Sequence, residues 1–296
     1  HINSDGDSVA SSLAMLRLLG GLGKRARIIL QDLPENLYDY LDGFEQIVAC
    51  GDSGADDGPA HNVIVLDCPS LDRVGSAKSC VNPGATVLNV DHHKDNKRFG
   101  RYNLLSQVSS TCEVIYELVV KSGITIDQPL AEQLYTGILY DTGGFRYSLT
   151  TSTTLEVAAA LVRCGARLDI VADHIYNSNS LGTVKLVGRA IESLELACDG
   201  RVALLHLDHK DMKQGDPAEA VGYGLRIRGV EVTLLLKEEE PAHYRVSLRS
   251  RSEVDVSIIA AAFGGGGHVR ASGCRLDGKA ADVRKALLAE VEKLLP

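Results

Sequence analysis

Apolar positions in the first half of the chain follow two alternating rhythms. Val9, Leu13, Leu16 and Leu19 recur at helical spacing over residues 8–19, Gly20-Gly21 ends the pattern, and Asp7 stands where it can cap the start. Short, nearly continuous apolar runs at 26–30, 62–66 and 86–90 read as strands covered on both faces. Helical patterns follow at 110–121, 128–140 and 153–164. Strands alternating with helices predict an α/β fold with a doubly wound, mainly parallel sheet. Ligands of such sheets bind at the carboxyl ends of strands.

The rhythm changes near 177–182, a polar stretch followed by a helical pattern that reads as a linking helix over 181–194. Beyond it, strand-like segments at 202–207, 230–236 and 244–248 precede a helix near 256–263, a strand near 271–276 and a last helix over 280–295. This predicts a catalytic domain over 1–180 and a smaller α+β domain over 195–296.

Composition narrows what such a chain can do. Lys and Arg total 31 against 39 Asp and Glu, so the net charge of −8 leaves no global basic field to hold long duplex nucleic acid. Any anionic substrate must be gripped locally, by metal ions and a few arginines. The seven cysteines are scattered without a C-x-x-C pair, which favours reduced thiols over a disulfide or zinc framework. No apolar run approaches a membrane span, and no signal segment stands at the start, so the chain reads as cytoplasmic. Because the sequence opens on His1, a motif residue, an apolar strand ending at His1 is expected upstream.

Acidic and imidazole residues collect at what read as strand ends. Asp91-His92-His93 follows the run 85–90, Asp67 follows 62–66, Asp141 follows 137–140, and His1, Asp5 and Asp7 share one turn. Carboxylate oxygens and imidazole nitrogens without thiolates suit Mn²⁺ and similar first-row ions. Two such ions would clamp a phosphate and ionise a water. The plainer alternatives are turn and helix-cap roles for Asp5 and Asp7, and a solvent-facing loop for His92-His93. Gly264-Gly265-Gly266-Gly267-His268 lets backbone N–H groups approach an anion, although glycines alone also make a flexible loop. Arg249 offers a guanidinium at a strand end, and Arg146 can hold a phosphate or pair with a local carboxylate.

The ordered set His1-Ile2-Asn3-Ser4-Asp5-Gly6-Asp7, the Asp67 strand, Asp91-His92-His93, Asp141-Thr142-Gly143 and Gly265-Gly266-Gly267-His268 resembles the DHH-family phosphoesterases that carry a DHH-associated C-terminal domain. The resemblance spans essentially the full length, includes the tract Ser110-Thr111-Cys112-Glu113, and is nearest to the nanoRNase and 3′-phosphoadenosine 5′-phosphate phosphatase group. Ser4 departs from it, where many relatives carry Pro.

The resemblance implies that His1, Asp5 and Asp67 hold one divalent ion and that Asp7, Asp67, His92 and Asp141 hold the other. Mn²⁺ is the first choice, with Mg²⁺ or Co²⁺ as alternatives. It implies that Asp91 orients His92, that His93 contacts the scissile phosphate with Arg146 beside it, and that Arg249, Gly265, Gly266, Gly267 and His268 bind substrate. The implied enzyme is a two-metal hydrolase that cleaves short oligoribonucleotides to mononucleotides, or 3′-phosphoadenosine 5′-phosphate to AMP, through a metal-activated hydroxide. Partners would be short RNA or small nucleotides, with no membrane, and a homodimer is compatible. A cyclic-dinucleotide phosphodiesterase is the alternative; a manganese pyrophosphatase and a non-catalytic nucleotide sensor rank below it.

Overall fold

The computed structural model of the chain describes residues 1–2, 4–34, 36–52, 58–251 and 253–295; Asn3 of the first acidic turn lies outside them. Two compact units divide the chain, His1–Ser178 and Asn179–Pro296.

The first unit is α/β with parallel strand pairing, as expected, and its strands fall into two groups. β1 (Ile28–Leu30) pairs with β2 (Ile47–Ala49), and β3 (Ala60–Leu66), β4 (Val81–Asp91) and β5 (Tyr102–Leu105) pair side by side. Their two faces are divided by the period-two alternation of a strand. Ile28, Leu30, Ile64, Leu66, Leu88 and Val90 face α1 (Gly6–Gly21), α2 (Thr111–Ser122), α3 (Gln128–Asp141), α4 (Ser152–Arg163) and α5 (Leu168–Asn177). Ile29, Val63, Val65 and Val87 face the opposite side, where the 3₁₀ stretch Leu71–Cys80 covers them with Val74 and Ala77. Strands covered on both faces explain why these runs are apolar throughout rather than alternating.

α1 starts two residues earlier than its apolar pattern suggests. Asp5, not Asp7, is its N-cap, accepting from the Ser8 N–H at 3.0 Å, so Asp7 lies inside the helix and is free to serve another element. Asp141 closes α3 and therefore stands at the C-terminal end of a helix rather than at a strand end. β2, β5 and α5 had no clear pattern: two are three- or four-residue strands, and α5 has only Val171 fully buried.

The second unit is a six-stranded sheet in the order β10-β11-β9-β8-β7-β6, where β6 is Glu195–Ala197, β7 Val202–Leu207, β8 Val232–Glu240, β9 His243–Ser250, β10 Gly266–His268 and β11 Ala271–Asp277. Only the β7–β8 pair is parallel; the others are antiparallel. Leu204, Leu234, Leu236, Val246 and Leu248 pack on one face against α8 (Val256–Ala262) and α9 (Ala280–Glu292). Leu205, Leu207 and Leu235 take the other face with α6 (Leu181–Glu192). The helix expected to link two domains thus buries Val187 and Ala190 in this second core.

Gly137 sets the packing of the first unit's helices around the acidic residues. A Cβ there would lie 2.4 Å from Asp7 Oδ1 and 2.4 Å from Cys112 Sγ, so only a hydrogen lets α3 approach α1 and α2 this closely. Gly137→Ala would gain helix propensity but force these anchored groups apart. A net loss of about 1–3 kcal/mol is expected, seen as a melting temperature several degrees lower. An unchanged or raised melting temperature would show that the three helices can separate without cost.

Candidate metal centre

Asp7 is fully buried and its carboxylate crosses to the N-terminus of α2. Thr111 N–H donates to it at 2.6 Å and Cys112 N–H at 3.0 Å, so the positive end of that helix holds the anion. Thr111 also donates through its hydroxyl to Asp67 Oδ1 at 2.9 Å, so one residue places two carboxylates. Asp67 has φ of 55°, a left-handed conformation that non-glycine residues seldom adopt and that concentrates at functional sites. The turn takes its side chain out of the alternation of β3. Asp141 meets His92, with Oδ2 3.1 Å from Nε2, while Asp67 Oδ1 lies 3.5 Å from the same nitrogen.

The His92 ring is set by its other nitrogen. Nδ1 donates to the Val108 carbonyl at 3.3 Å, so Nε2 is the nitrogen facing the carboxylates. A bare lone pair facing two carboxylate oxygens is repulsive, so this place requires a cation, either a proton on Nε2 or a metal ion. The backbone-tethered imidazole and surrounding oxygens are the donor set of a hard or borderline divalent ion. Two groups of ligand atoms lie mutually within 4.8 Å: Asp7, His92 and Asp141, and Asp67, Asp91, His92 and His93.

The electrostatics point the same way. Burial raises the pKa of Asp7, eased by His92, and burial with repulsion from Asp7, Asp5 and Asp141 lifts Asp67 well above the carboxylate range. Burial and Asp7 push Asp141 up to about 7. Burial disfavours the charged form of His92, but Asp141 outweighs it and raises the imidazole to about 9. Asp91 goes the other way: despite burial, His93 and Asn96 hold it below the usual carboxylate range.

Asp91 accepts the His92 backbone N–H at 2.9 Å, and its ring partner among the described residues is His93, whose Nδ1 donates at 2.7 Å. His92 is held by Val108 instead because its side chain turns toward Asp141. Asn96 completes the support, donating to Asp91 Oδ2 at 2.5 Å and to Asn89 Oδ1 at 2.8 Å. Asn89, Asn96 and Thr111 carry no role in the sequence reading. A buried Asn inside the apolar run of β4 and a Ser-Ser-Thr stretch at a helix start are the signals that could have found them.

Neither His1 nor Asp5 joins the two ligand groups. The Asp5 carboxylate caps α1, although its charge still raises Asp7 and Asp67. His1 Nε2 accepts from Arg73 at 3.0 Å, and its Nδ1 is buried with no hydrogen-bond partner among the described residues. With Nε2 accepting, Nδ1 carries the ring proton, so His1 would have to give up the Arg73 contact before Nδ1 could ligate an ion. Arg146 folds back, with Nε donating to the Gly143 carbonyl at 2.5 Å, and no carboxylate pairs with it among the described residues.

In the second unit, Arg249 lies on β9 opposite Ala271, and its Nη1 donates to the Leu248 carbonyl at 3.0 Å. The expected glycine loop is partly a strand. Gly266, Gly267 and His268 pair with Gly273, Ser272 and Ala271, and His268 is exposed. A Cβ at Gly265 would meet the Gly273 carbonyl at 2.2 Å, and one at Gly267 would meet the Ala271 carbonyl at 2.6 Å. At these two positions close strand packing itself demands glycine.

Comparison with known proteins places these elements in a context. Residues 1–138 match the model of the DHH family, N-terminal domain, and residues 199–295 that of the DHHA1 domain. The chain is 30% identical over 285 residues to the bifunctional oligoribonuclease and PAP phosphatase NrnA of Thermus thermophilus, covering 94% of this chain and 83% of that protein. It is 26% identical to the protein of the same name from Bacillus subtilis, covering 99% of this chain and 92% of the other. Among solved structures, an exopolyphosphatase-related protein from Bacteroides fragilis superimposes with a TM-score of 0.90 at 26% identity, covering 98% of this chain and 89% of that one.

A stability profile follows from the raised pKa values. Asp141 rises from 3.8 to about 7 and His92 from 6.5 to about 9, so each binds its proton more tightly in the folded state. Their stabilisation is complete below the unfolded values and is lost as pH rises through the folded ones. In a chelator, the melting temperature is expected to fall between about pH 6 and pH 9, and Asp141→Asn to flatten the lower part of that fall. Mn²⁺ should restore the loss at the alkaline end. A chelated protein that melts higher at pH 9 than at pH 6 would refute the reading.

Proposed function

The chain belongs to the DHH family, and from that premise we propose that it is a two-metal phosphoesterase that hydrolyses short oligoribonucleotides to mononucleotides and 3′-phosphoadenosine 5′-phosphate to AMP. The observation that carries the reading is the convergence of Asp7, Asp67 and Asp141 on His92 Nε2, a buried negative centre that only a cation neutralises. The names of the relatives from T. thermophilus and B. subtilis, both matched over most of their length, support the choice of substrates.

Asp7, Asp67, His92 and Asp141 would hold one divalent ion, and Asp67 with Asp5 and His1 the second, Mn²⁺ being the first candidate. Bound ions would supply Lewis acidity toward the phosphoryl oxygens and a more acidic water. The chain's own residues do the positioning. Ionised Asp91 accepts from His93 Nδ1 and so leaves Nε2 for the scissile phosphate, to which it would donate once the ring carries its second proton, stabilising developing charge. Asn96 holds Asp91, and through it His93, at a fixed angle. Thr111 fixes the separation of Asp7 and Asp67. Arg146 would have to leave the Gly143 carbonyl to reach a substrate phosphate. Arg249 and the Gly265–His268 motif, carried by the second unit, would recognise the nucleotide's end.

Turnover of a 5′-phosphorylated diribonucleotide, 3′-phosphoadenosine 5′-phosphate, a cyclic dinucleotide and a 24-mer RNA under one Mn²⁺ condition tests the proposal. The first two should be converted to mononucleotides fastest. Preference for the cyclic dinucleotide would favour that alternative activity, and equal rates on the 24-mer and the dimer would remove selection for short substrates. Asp141→Ala should lower kcat/KM by at least about 10²-fold, and undiminished hydrolysis would sink the two-metal assignment. Asp91→Ala should lower kcat by about 10–100-fold while the diribonucleotide KM changes little. A pure KM effect would mean that the Asp91–His93 pair serves binding alone.

A further inference from the structure

Seven thiols were expected to be reduced, and the structure separates them. Cys68, Cys112 and Cys274 are buried, whereas Cys50 and Cys80 are partly exposed and their Sγ atoms lie 3.8 Å apart. Cys50 follows β2 and is tied to β1 by its N–H, which donates to the Leu30 carbonyl at 2.8 Å. Cys80 ends the 3₁₀ stretch Leu71–Cys80, where β4 begins. Around the sulfurs, Cys50 Sγ donates to the Ser76 carbonyl at 3.3 Å and lies 3.5 Å from Ser79 Oγ, which itself donates to Ser76 at 2.9 Å.

We propose that Cys50 and Cys80 are a dithiol modification site, converted by a peroxide into a reversible intramolecular disulfide. The two sulfurs need close by less than about 2 Å to reach bonding distance, within the reach of side-chain rotation and a small shift of the 3₁₀ stretch. The environment distinguishes the thiols. The Ser79 hydroxyl, with Cys80 and Ser76, holds the Cys50 thiol below its ordinary range, whereas burial and Cys50 push Cys80 up. Cys50, whose sulfur lies 3.5 Å from the Ser79 hydroxyl, is assigned as the attacking thiol and Cys80, 3.8 Å from it, as the resolving one.

In the first step the Cys50 sulfur attacks one peroxide oxygen, the O–O bond breaks, and hydroxide leaves as a sulfenic acid forms on Cys50. In the second, the Cys80 sulfur attacks the Cys50 sulfur, the S–O bond breaks and water leaves. Two thiols and one hydrogen peroxide become one disulfide and two waters, the sulfurs losing two electrons and the peroxide gaining them. The bond would tie the end of β2 to a stretch whose Arg73 contacts His1 Nε2.

The test is peptide mapping of the full chain, reduced, treated with stoichiometric hydrogen peroxide and quenched with iodoacetamide. A cross-linked peptide pair containing Cys50 and Cys80, lighter by two hydrogens, should appear as both residues lose alkylation, and dithiothreitol should reverse it. In Cys80→Ser the reaction should stop at a dimedone-trappable sulfenic acid on Cys50, and in Cys50→Ser, Cys80 should remain alkylatable. The proposal is overturned if wild-type Cys50 and Cys80 remain fully alkylated while other thiols are consumed. It is equally overturned if the only cross-links join separate chains.

Discussion

The repulsion among Asp7, Asp67 and Asp141, all drawn toward one imidazole, is the constraint around which the first unit is built. Two like charges about 4 Å apart cost about 4 kcal/mol at a protein surface and more when buried, so no fold collects three without a countercharge. Each carboxylate is held by a different device. Asp7 rests on the N-terminus of α2, Asp67 is turned out of its strand by a left-handed backbone, and Asp141 is carried on the end of α3. The last is the least comfortable, because a helix C-terminus is the wrong end of the dipole for an anion, and it leans on His92. The protein meets the cost with its own proton until a stronger cation replaces it.

The same constraint explains why two neighbouring histidines and four aspartates do different work. Asp91 is as buried as Asp7, yet its pKa falls where the others rise, because His93 and Asn96 surround it with donors. It is a fixed anion, suited to keeping a proton on His93 rather than to sharing an ion. His92 is tied to a backbone carbonyl and sent toward carboxylates, while His93 is tied to a carboxylate. Alternation of side chains at the end of β4 makes the divergence possible, and the partner of each Nδ1 decides the task of each Nε2.

Much of this could be read from residue order alone, and the parts that could not have a common physical origin. Strands covered on both faces announce themselves as continuous apolar runs, and acidic residues just beyond them draw the eye. Which carboxylate caps a helix is decided by two residues of register, so the cap expected at Asp7 falls on Asp5. Which histidine pairs with Asp91 depends on two ring torsions that spacing does not encode. Thr111 was hidden because its work, donating one backbone and one side-chain hydrogen to two carboxylates, is done across more than 40 residues of sequence to Asp67 and over 100 to Asp7. β2, β5 and α5 are short or shallowly buried and leave too few apolar positions to define a period.

The glycine run shows how one motif can answer to two demands. Gly265 and Gly267 press against backbone atoms of β11, and any side chain there would break the hairpin before substrate was considered. A Cβ on Gly264 or Gly266 would meet nothing. Packing accounts for these two glycines, the left-handed backbone of Gly264 (φ 71°) for a third, and only Gly266 is left that the fold does not require. If anion recognition selects the motif, its mark among the glycines belongs at Gly266, where neither packing nor φ demands glycine. Any contribution of Gly265 and Gly267 to binding is inseparable from building the strand that presents them.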